Sequence, residues 1–133
     1  MTDTIPDTHQ YLLQRETRAF AHLSLVLKDG TPHVSPLWFD YKDGLFIINT
    51  ARGRVKDKAL HRHPYAALCI NDPADPDRYL LIRGPVVEET EAGAWDQIDD
   101  LNLKYNGDRN FTRRPGQVRV TYKIKPDHIF GGT

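Results

Sequence analysis

The sequence predicts a mainly β domain: about six antiparallel strands in a small closed or nearly closed barrel, with helical decoration. Three observations predict it. Runs of alternating apolar and polar residues recur along the chain, as at residues 21–27 and 118–124. Asp29-Gly30 and Asp43-Gly44 separate the first three runs, and Asp-Gly is a strong hairpin-turn signal. Helical spacing is confined to three short stretches.

Residues 6–19 read as the first helix. Pro6 suits a first helical turn, and Tyr11, Leu12, Arg15 and Phe20 fall near helical spacing. Ala21, Leu23, Leu25 and Leu27 then alternate with His22, Ser24, Val26 and Lys28, a strand. Lys28-Asp29-Gly30-Thr31 turns the chain, residues 33–40 return, and Tyr41-Lys42-Asp43-Gly44 turns it again into residues 45–50. Tight turns imply an antiparallel meander, since parallel neighbours need long crossovers.

Residues 50–54 form a short basic loop, and residues 55–62 a short helix stopped by His63-Pro64. Residues 65–71 are the fourth strand. Residues 72–77, with two prolines and three acids, read as a loop. Residues 78–88 are the fifth strand, with Gly84-Pro85 marking a bulge or an edge. Residues 90–105 are the third helix, with Trp95, Ile98, Leu101 and Tyr105 on one face, Thr90 as cap and Asn106-Gly107 as stop. Residues 108–117 are a polar loop. Val118, Val120, Tyr122 and Ile124 alternate as the last strand, which Pro126 interrupts, and Gly131-Gly132 reads as a tail.

The chain's 133 residues fit one domain, 1–133. A domain this small leaves apolar surface that a second copy would help cover. With 18 basic and 18 acidic residues, the formal charge of zero argues against nucleic acid as a partner. No apolar run approaches the roughly 20 residues that span a membrane. Residues 1–14 show no basic patch followed by an apolar stretch, so a cytoplasmic protein is the expectation. Cys69 is the one cysteine, which excludes an internal disulfide, and its apolar surroundings suggest a small buried hydrophobe.

Several chemistries find no support. His61 and His63 are two apart, His9, His22, His33 and His128 are scattered, and no zinc spacing results, so no metal is expected. The two serines, Ser24 and Ser35, lie in no Gly-x-Ser-x-Gly element. No Gly-x-Gly-x-x-Gly unit follows a strand.

Two stretches carry chemistry. The first runs from Thr50 to Lys58 and sets Arg52, Arg54, Lys56 and Lys58 at the start of a helix. Free N–H groups and the helix dipole favour an anion there, and cationic side chains add charge-assisted bonds to a phosphate. The bland alternative is a solvated basic loop. The second is His33-Val34-Ser35-Pro36-Leu37-Trp38-Phe39-Asp40. Proline implies an edge strand, and Trp38 either lies against a flat ring or packs in the core.

Taken in order, Asp29 to Phe39, Ile48-Asn49-Thr50, Gly53-Arg54-Val55-Lys56, Leu60, Pro64, Tyr65 to Leu68, Arg78-Tyr79-Leu80 and Arg83-Gly84 resemble a known pattern. It is that of the pyridoxamine-phosphate-oxidase-like split β-barrel superfamily, in particular the branch that uses coenzyme F420, a 5-deazaflavin. The resemblance spans roughly residues 15 to 130 and implies a six-stranded split barrel, working as a homodimer with the cofactor between subunits. It implies that Thr50, Arg54 and Lys56 hold the cofactor phosphate, while Ser35, Pro36, Leu37 and Trp38 run beside the ring system. Lys58, and Tyr79 near the partner-subunit wall, complete the candidate cofactor-binding set. The family often has Asn before the position of Leu60, and here Ala59 stands there.

Three functions follow from the resemblance. In the first, reduced F420 passes a hydride to a conjugated small-molecule substrate. The chemistry belongs to the cofactor, so no protein acid or base is assigned, although Tyr79 and His33 are candidate proton donors. Arg52, Lys58 and Arg62 are candidates for the acidic tail of F420. In the second, FMN occupies the same site. The third is a non-enzymatic carrier of deazaflavin, haem or tetrapyrrole, with His61, His63 and His128 as candidate ligands.

Overall fold

The computed structural model describes residues 4–133. Residues 1–3 of the expected domain, and the part of the leader expectation that rests on them, lie outside the described residues. Strands β1 (Phe20–Val26), β2 (Pro32–Leu37), β3 (Asp40–Lys42) and β4 (Leu45–Ala51) come first. Helix α1 (Val55–Arg62) follows, then β5 (Tyr65–Asp72) and β6 (Asp75–Thr90). Helix α2 (Ala94–Asn106), β7 (Arg119–Ile124) and β8 (His128–Gly132) complete the chain. The strands pair in the order β2-β1-β5-β6-β7-β4-β3, with β8 also on β6. Every pairing is antiparallel.

The 16-residue β6 carries the chain from one half of the sheet to the other. Residues 79–83 lie between β5 and β8, and residues 86–90 pair with β7. Gly84 sits at the changeover. A Cβ there would lie 1.7 Å from the carbonyl oxygen of Lys125. The crossing backbones are tied by Lys125 N–H to Pro85 O and Asp127 N–H to Arg83 O. The ladder bulges just beyond, between Val86 and Glu88. Gly84-Pro85 thus marks a central bend, not an edge. Leu23, Phe46, Leu68, Ile82 and Tyr122, all essentially inaccessible, fill the barrel.

Eight strands form where six were expected. Residues 33–40 divide into β2 and β3, because Phe39 is fully buried and draws the chain inward between them. β2 pairs only with β1, and β3 only with β4, so the expected meander is broken. Pro32 and Pro36 suit β2 as an edge strand, since neither has an N–H to offer a neighbour. The second added strand is β8. Gly131 and Gly132 are not a tail; they pair with Leu80 and Tyr79.

Local expectations are corrected elsewhere. The first helix is two 3₁₀ turns, Asp7–Leu13 and Arg15–Thr17. The buried residues of the first turn, His9 and Leu12, are three apart, the 3₁₀ period. The 72–77 loop is a hairpin turning on Pro73 and Ala74. Asp72 accepts the Ala74 N–H at 2.8 Å, so β6 begins at Asp75. Thr90 caps nothing: it pairs with Thr121 in the sheet, and α2 starts after Gly93. Cys69 is half-buried, on the outward side of β5. No helix among the described residues is long and apolar enough to cross a membrane.

Gly84→Ala should destabilise the fold by about 3 kcal/mol or more, since the added methyl meets backbone that cannot move independently. A urea midpoint measures this. A loss under about 1 kcal/mol would show that the 125–127 segment yields.

Candidate functional site

The β4–β7 ladder sets Thr50 opposite Val120 and Ala51 opposite Arg119. Thr50 is 2% exposed, and its Oγ1 has no hydrogen-bond partner. A buried hydroxyl without a partner is costly, and Thr50 is one of the residues lining a cleft. The chain then turns at Gly53, whose φ of +92° favours glycine, and enters α1 with Arg54 as N-cap. Arg54, Lys56 and Arg119 line the same cleft, beside Trp38, Asn49 and Phe111. Its volume is about 240 Å³.

These three cations have no carboxylate within ion-pair distance among the described residues. Arg119 is only 3% exposed. Its Nε donates to Asn49 Oδ1 at 2.9 Å, and the guanidinium lies 5.2 Å from the Phe111 ring centroid. Burial, then the charge of Arg54, lowers its pKa to about 10. Burial and Arg54 also lower that of Lys56. The Asn49 amide is fixed in turn, donating to Ala94 O and Gln97 Oε1, both at 2.8 Å. Unpaired, partly desolvated positive charge is the kind of surface that can receive an oxyanion.

Arg52 differs from its neighbours. It binds Asp57, Glu89 and Glu91 at 2.9, 2.6 and 2.8 Å, and the bonds to Glu89 and then Glu91 raise its pKa. That neutralised charge does not suit Arg52 to a ligand's acidic tail.

The cleft therefore gathers Leu37, Trp38, Thr50, Arg54 and Lys56 of the expected set. Trp38 is half-buried, stacked on Tyr105 at 5.2 Å and 11°, and in a T-shaped contact with Phe111. Ser35 lies one strand period before Leu37, and its Oγ is buried without a partner, as is His33 Nδ1. Pro36 is exposed on the opposite face of β2. Lys58 lies instead with Lys28 and Arg62 along a shallow groove beside α1. Tyr79 packs against Phe130 and Gly132 and does not line the cleft. Ala59 is buried in α1. His61 pairs with Glu89. No group of three or more metal-ligating side chains occurs among the described residues.

Sequence reasoning missed Arg119, Asn49 and Phe111. β7 is covered on both faces, so alternation does not mark Arg119 as cleft-facing. Two other cavities are poorer sites. A cavity of about 530 Å³ near the N-terminal turns holds Lys125 and Asp127, which pair with each other. A groove of about 280 Å³ on the outer sheet face is mostly apolar.

The sequence profile described as pyridoxamine 5'-phosphate oxidase matches residues 5–131. The chain belongs to that family. The fold agrees: an F420 reductase structure superposes with a TM-score of 0.82 at 28% identity, over 95% of this chain and 98% of the other. A protein from Listeria innocua described as a putative pyridoxamine 5'-phosphate oxidase gives 0.70 at 20% identity, over 94% and 95%. A haem storage protein from Vibrio cholerae gives 0.66 at 12%, over 92% and 91%. No curated protein sequence matches the chain.

Behind Trp38, Lys104 is 5% exposed and donates to the Phe39 carbonyl at 2.7 Å. Burial lowers its pKa from 10.5 to about 8, with Asp40 and Asp100 opposing and Arg15 assisting. Between these values the unfolded chain holds a proton that the folded chain has released, so stability rises with pH. Unfolding free energies of the parent and Lys104→Met should therefore diverge in the parent's favour by about 2 kcal/mol from pH 7 to 9.5. A constant gap would mean that Lys104 keeps an ordinary pKa.

Proposed function

We propose that the chain is an oxidoreductase that binds reduced coenzyme F420 and passes its hydride to a conjugated organic substrate. The observation that carries this reading is a cleft lined by three uncompensated cations and by Thr50, whose buried hydroxyl has no partner. That set fits the phosphoryl group of a ribityl phosphate. Thr50 would donate its O–H to a phosphoryl oxygen, and Arg54, Lys56 and Arg119 would balance the charge. The Trp38 ring, backed by Tyr105, would offer a flat wall to the ring system, with Ser35 beside it. The bound deazaflavin would supply the hydride; the chain's residues hold and orient it.

FMN carries the same ribityl phosphate and is the alternative ligand. The likeness to an F420 reductase favours the deazaflavin, as does the groove of Lys28, Lys58 and Arg62, three cations against the one carboxylate of Asp29, which suits an acidic tail. The carrier reading has weaker support, since the haem storage protein is alike in fold only.

One chain supplies only part of such a site. The cleft is smaller than the roughly 300–1,000 Å³ usual for small-molecule sites. A homodimer would provide the rest. Val34 and Phe130, 66% and 57% exposed, lie with Val26 and Leu81 on the outward face of the β2-β1-β5-β6-β8 half. A second copy would cover them. Sedimentation equilibrium at micromolar concentration should give twice the 15.3 kDa chain mass. A monomer that binds cofactor fully would sink the shared site.

The functional test is side-by-side titration of the apo-protein with F420 and FMN. F420 should bind more tightly, and hydride transfer should follow with an electron-poor acceptor. Lys56→Ala and Arg119→Met should each weaken cofactor binding by roughly ten- to a hundredfold while remaining folded. Parental affinity in both variants would leave the cleft without its assigned role.

A further inference from the structure

We propose that Asp57 is the positioning residue of the anion cleft, fixing the turn that aims Arg54 and Lys56 while Arg52 and Tyr122 hold its own charge away. The inference rests on the phosphate reading of the cleft. Helix α1 has eight residues, and its N-cap, Arg54, makes no side-chain capping bond. The carboxylate of the third helical residue reaches back instead, accepting the Gly53 N–H at 2.8 Å through Oδ2. Gly53 is the left-handed residue of the turn, so this bond locks the step that sets the direction of Arg54.

Asp57 is only 6% exposed and lies one residue after Lys56. A carboxylate there could pair with Lys56 or Arg54 and cancel the site. It does neither. Oδ1 accepts the Tyr122 hydroxyl at 2.7 Å and Arg52 Nη1 at 2.9 Å. Tyr122 is fully buried in the barrel, which anchors α1 to β7, the strand that carries Arg119. Burial pushes the Asp57 pKa up, but bonds from Tyr122, Gly53 and Arg52 outweigh it and leave it below the ordinary value. The carboxylate is therefore ionised at neutral pH, and its charge is spent on Arg52. A helix start needs one acceptor; here that acceptor is secured by a buried hydroxyl and a guanidinium that also takes Glu89 and Glu91.

The role has a diagnostic sign. Through-space charge alone predicts that removing a carboxylate beside Lys56 tightens anion binding. Positioning predicts weaker binding. The experiment measures dissociation constants of F420, FMN and inorganic phosphate for the parent, Asp57→Asn, Tyr122→Phe and Glu91→Gln. It is done where circular dichroism shows each variant folded, and over a range of salt. Asp57→Asn should bind FMN about tenfold more weakly and Tyr122→Phe about threefold, the scale of one or two hydrogen bonds. Their affinity should also depend less steeply on salt, because the cations no longer converge on one group. Glu91→Gln should match the parent.

Tighter binding by Asp57→Asn, or unchanged binding by both folded variants, overturns the proposal. Weaker binding with the parent's salt dependence does so too, since it marks general loosening. Should Asp57→Asn fail to fold, Tyr122→Phe decides, because its ring still fills the core. A parent that binds none of F420, FMN and phosphate refutes the cleft itself, and Asp57's role with it; a binding parent with unaffected variants refutes Asp57's role alone.

Discussion

The close crossing of Gly84 over the Lys125 backbone is the contact on which the other arrangements depend. A side chain at that point would separate the two segments. Without one, β6 leaves β5 and β8 and continues beside β7 without ending. β7 is then held between β6 and β4, and the β4–β7 register sets Arg119 opposite Ala51, next to Thr50. The cationic cleft is thus a consequence of sheet geometry. Its hydroxyl and one of its cations come from neighbouring strands, and its other cations come from the turn and helix that follow β4.

Charge is distributed unevenly over a few residues there. Arg52, Arg54 and Lys56 alternate along the chain, yet the first meets three carboxylates and the others none among the described residues. The difference is directional. Arg52 turns toward Glu89 and Glu91, whereas Arg54 and Lys56 turn into the cleft. Neutralising one cation leaves the field of the others intact, and partial burial strengthens that field by excluding water. Long side chains at a solvated surface would give far weaker discrimination between a phosphoryl group and chloride.

What the sequence reveals follows the range of the interactions. Helix α1 coincides with its expected span, and the Asp29-Gly30 and Asp43-Gly44 turns form, because each is decided within a few residues. The Thr50 to Lys56 cluster was legible for the same reason. The β2–β3 division was not. It depends on Phe39 finding the core, and the run Leu37-Trp38-Phe39 does not say which ring goes in. Nor was β8 legible, since two glycines in a strand make sense only against the Tyr79 and His9 rings that a Cβ would strike. Arg119 was hidden because β7 is buried on both faces, so its alternation separates two interiors and not inside from outside. Arg52 looked as free as Arg54 because its partners on and after β6 are distant in sequence.

The uncompensated cations also link binding to folding. A buried guanidinium whose best partner is a neutral amide is a poor choice for stability alone, because its desolvation is not offset by an opposite charge. The same holds for a buried hydroxyl without an acceptor or donor. These costs are borne by the ligand-free fold and would be relieved by an oxyanion bound as proposed. Such an anion would bind the native state with the relief added to its contacts, and the unfolded chain with none of it. By linkage that ligand would stabilise the fold increasingly as its concentration exceeds the dissociation constant. On the proposed reading, affinity for the anion and the cost to the ligand-free fold would have one physical origin: a Thr50 hydroxyl without a partner and an Arg119 charge without a counter-charge.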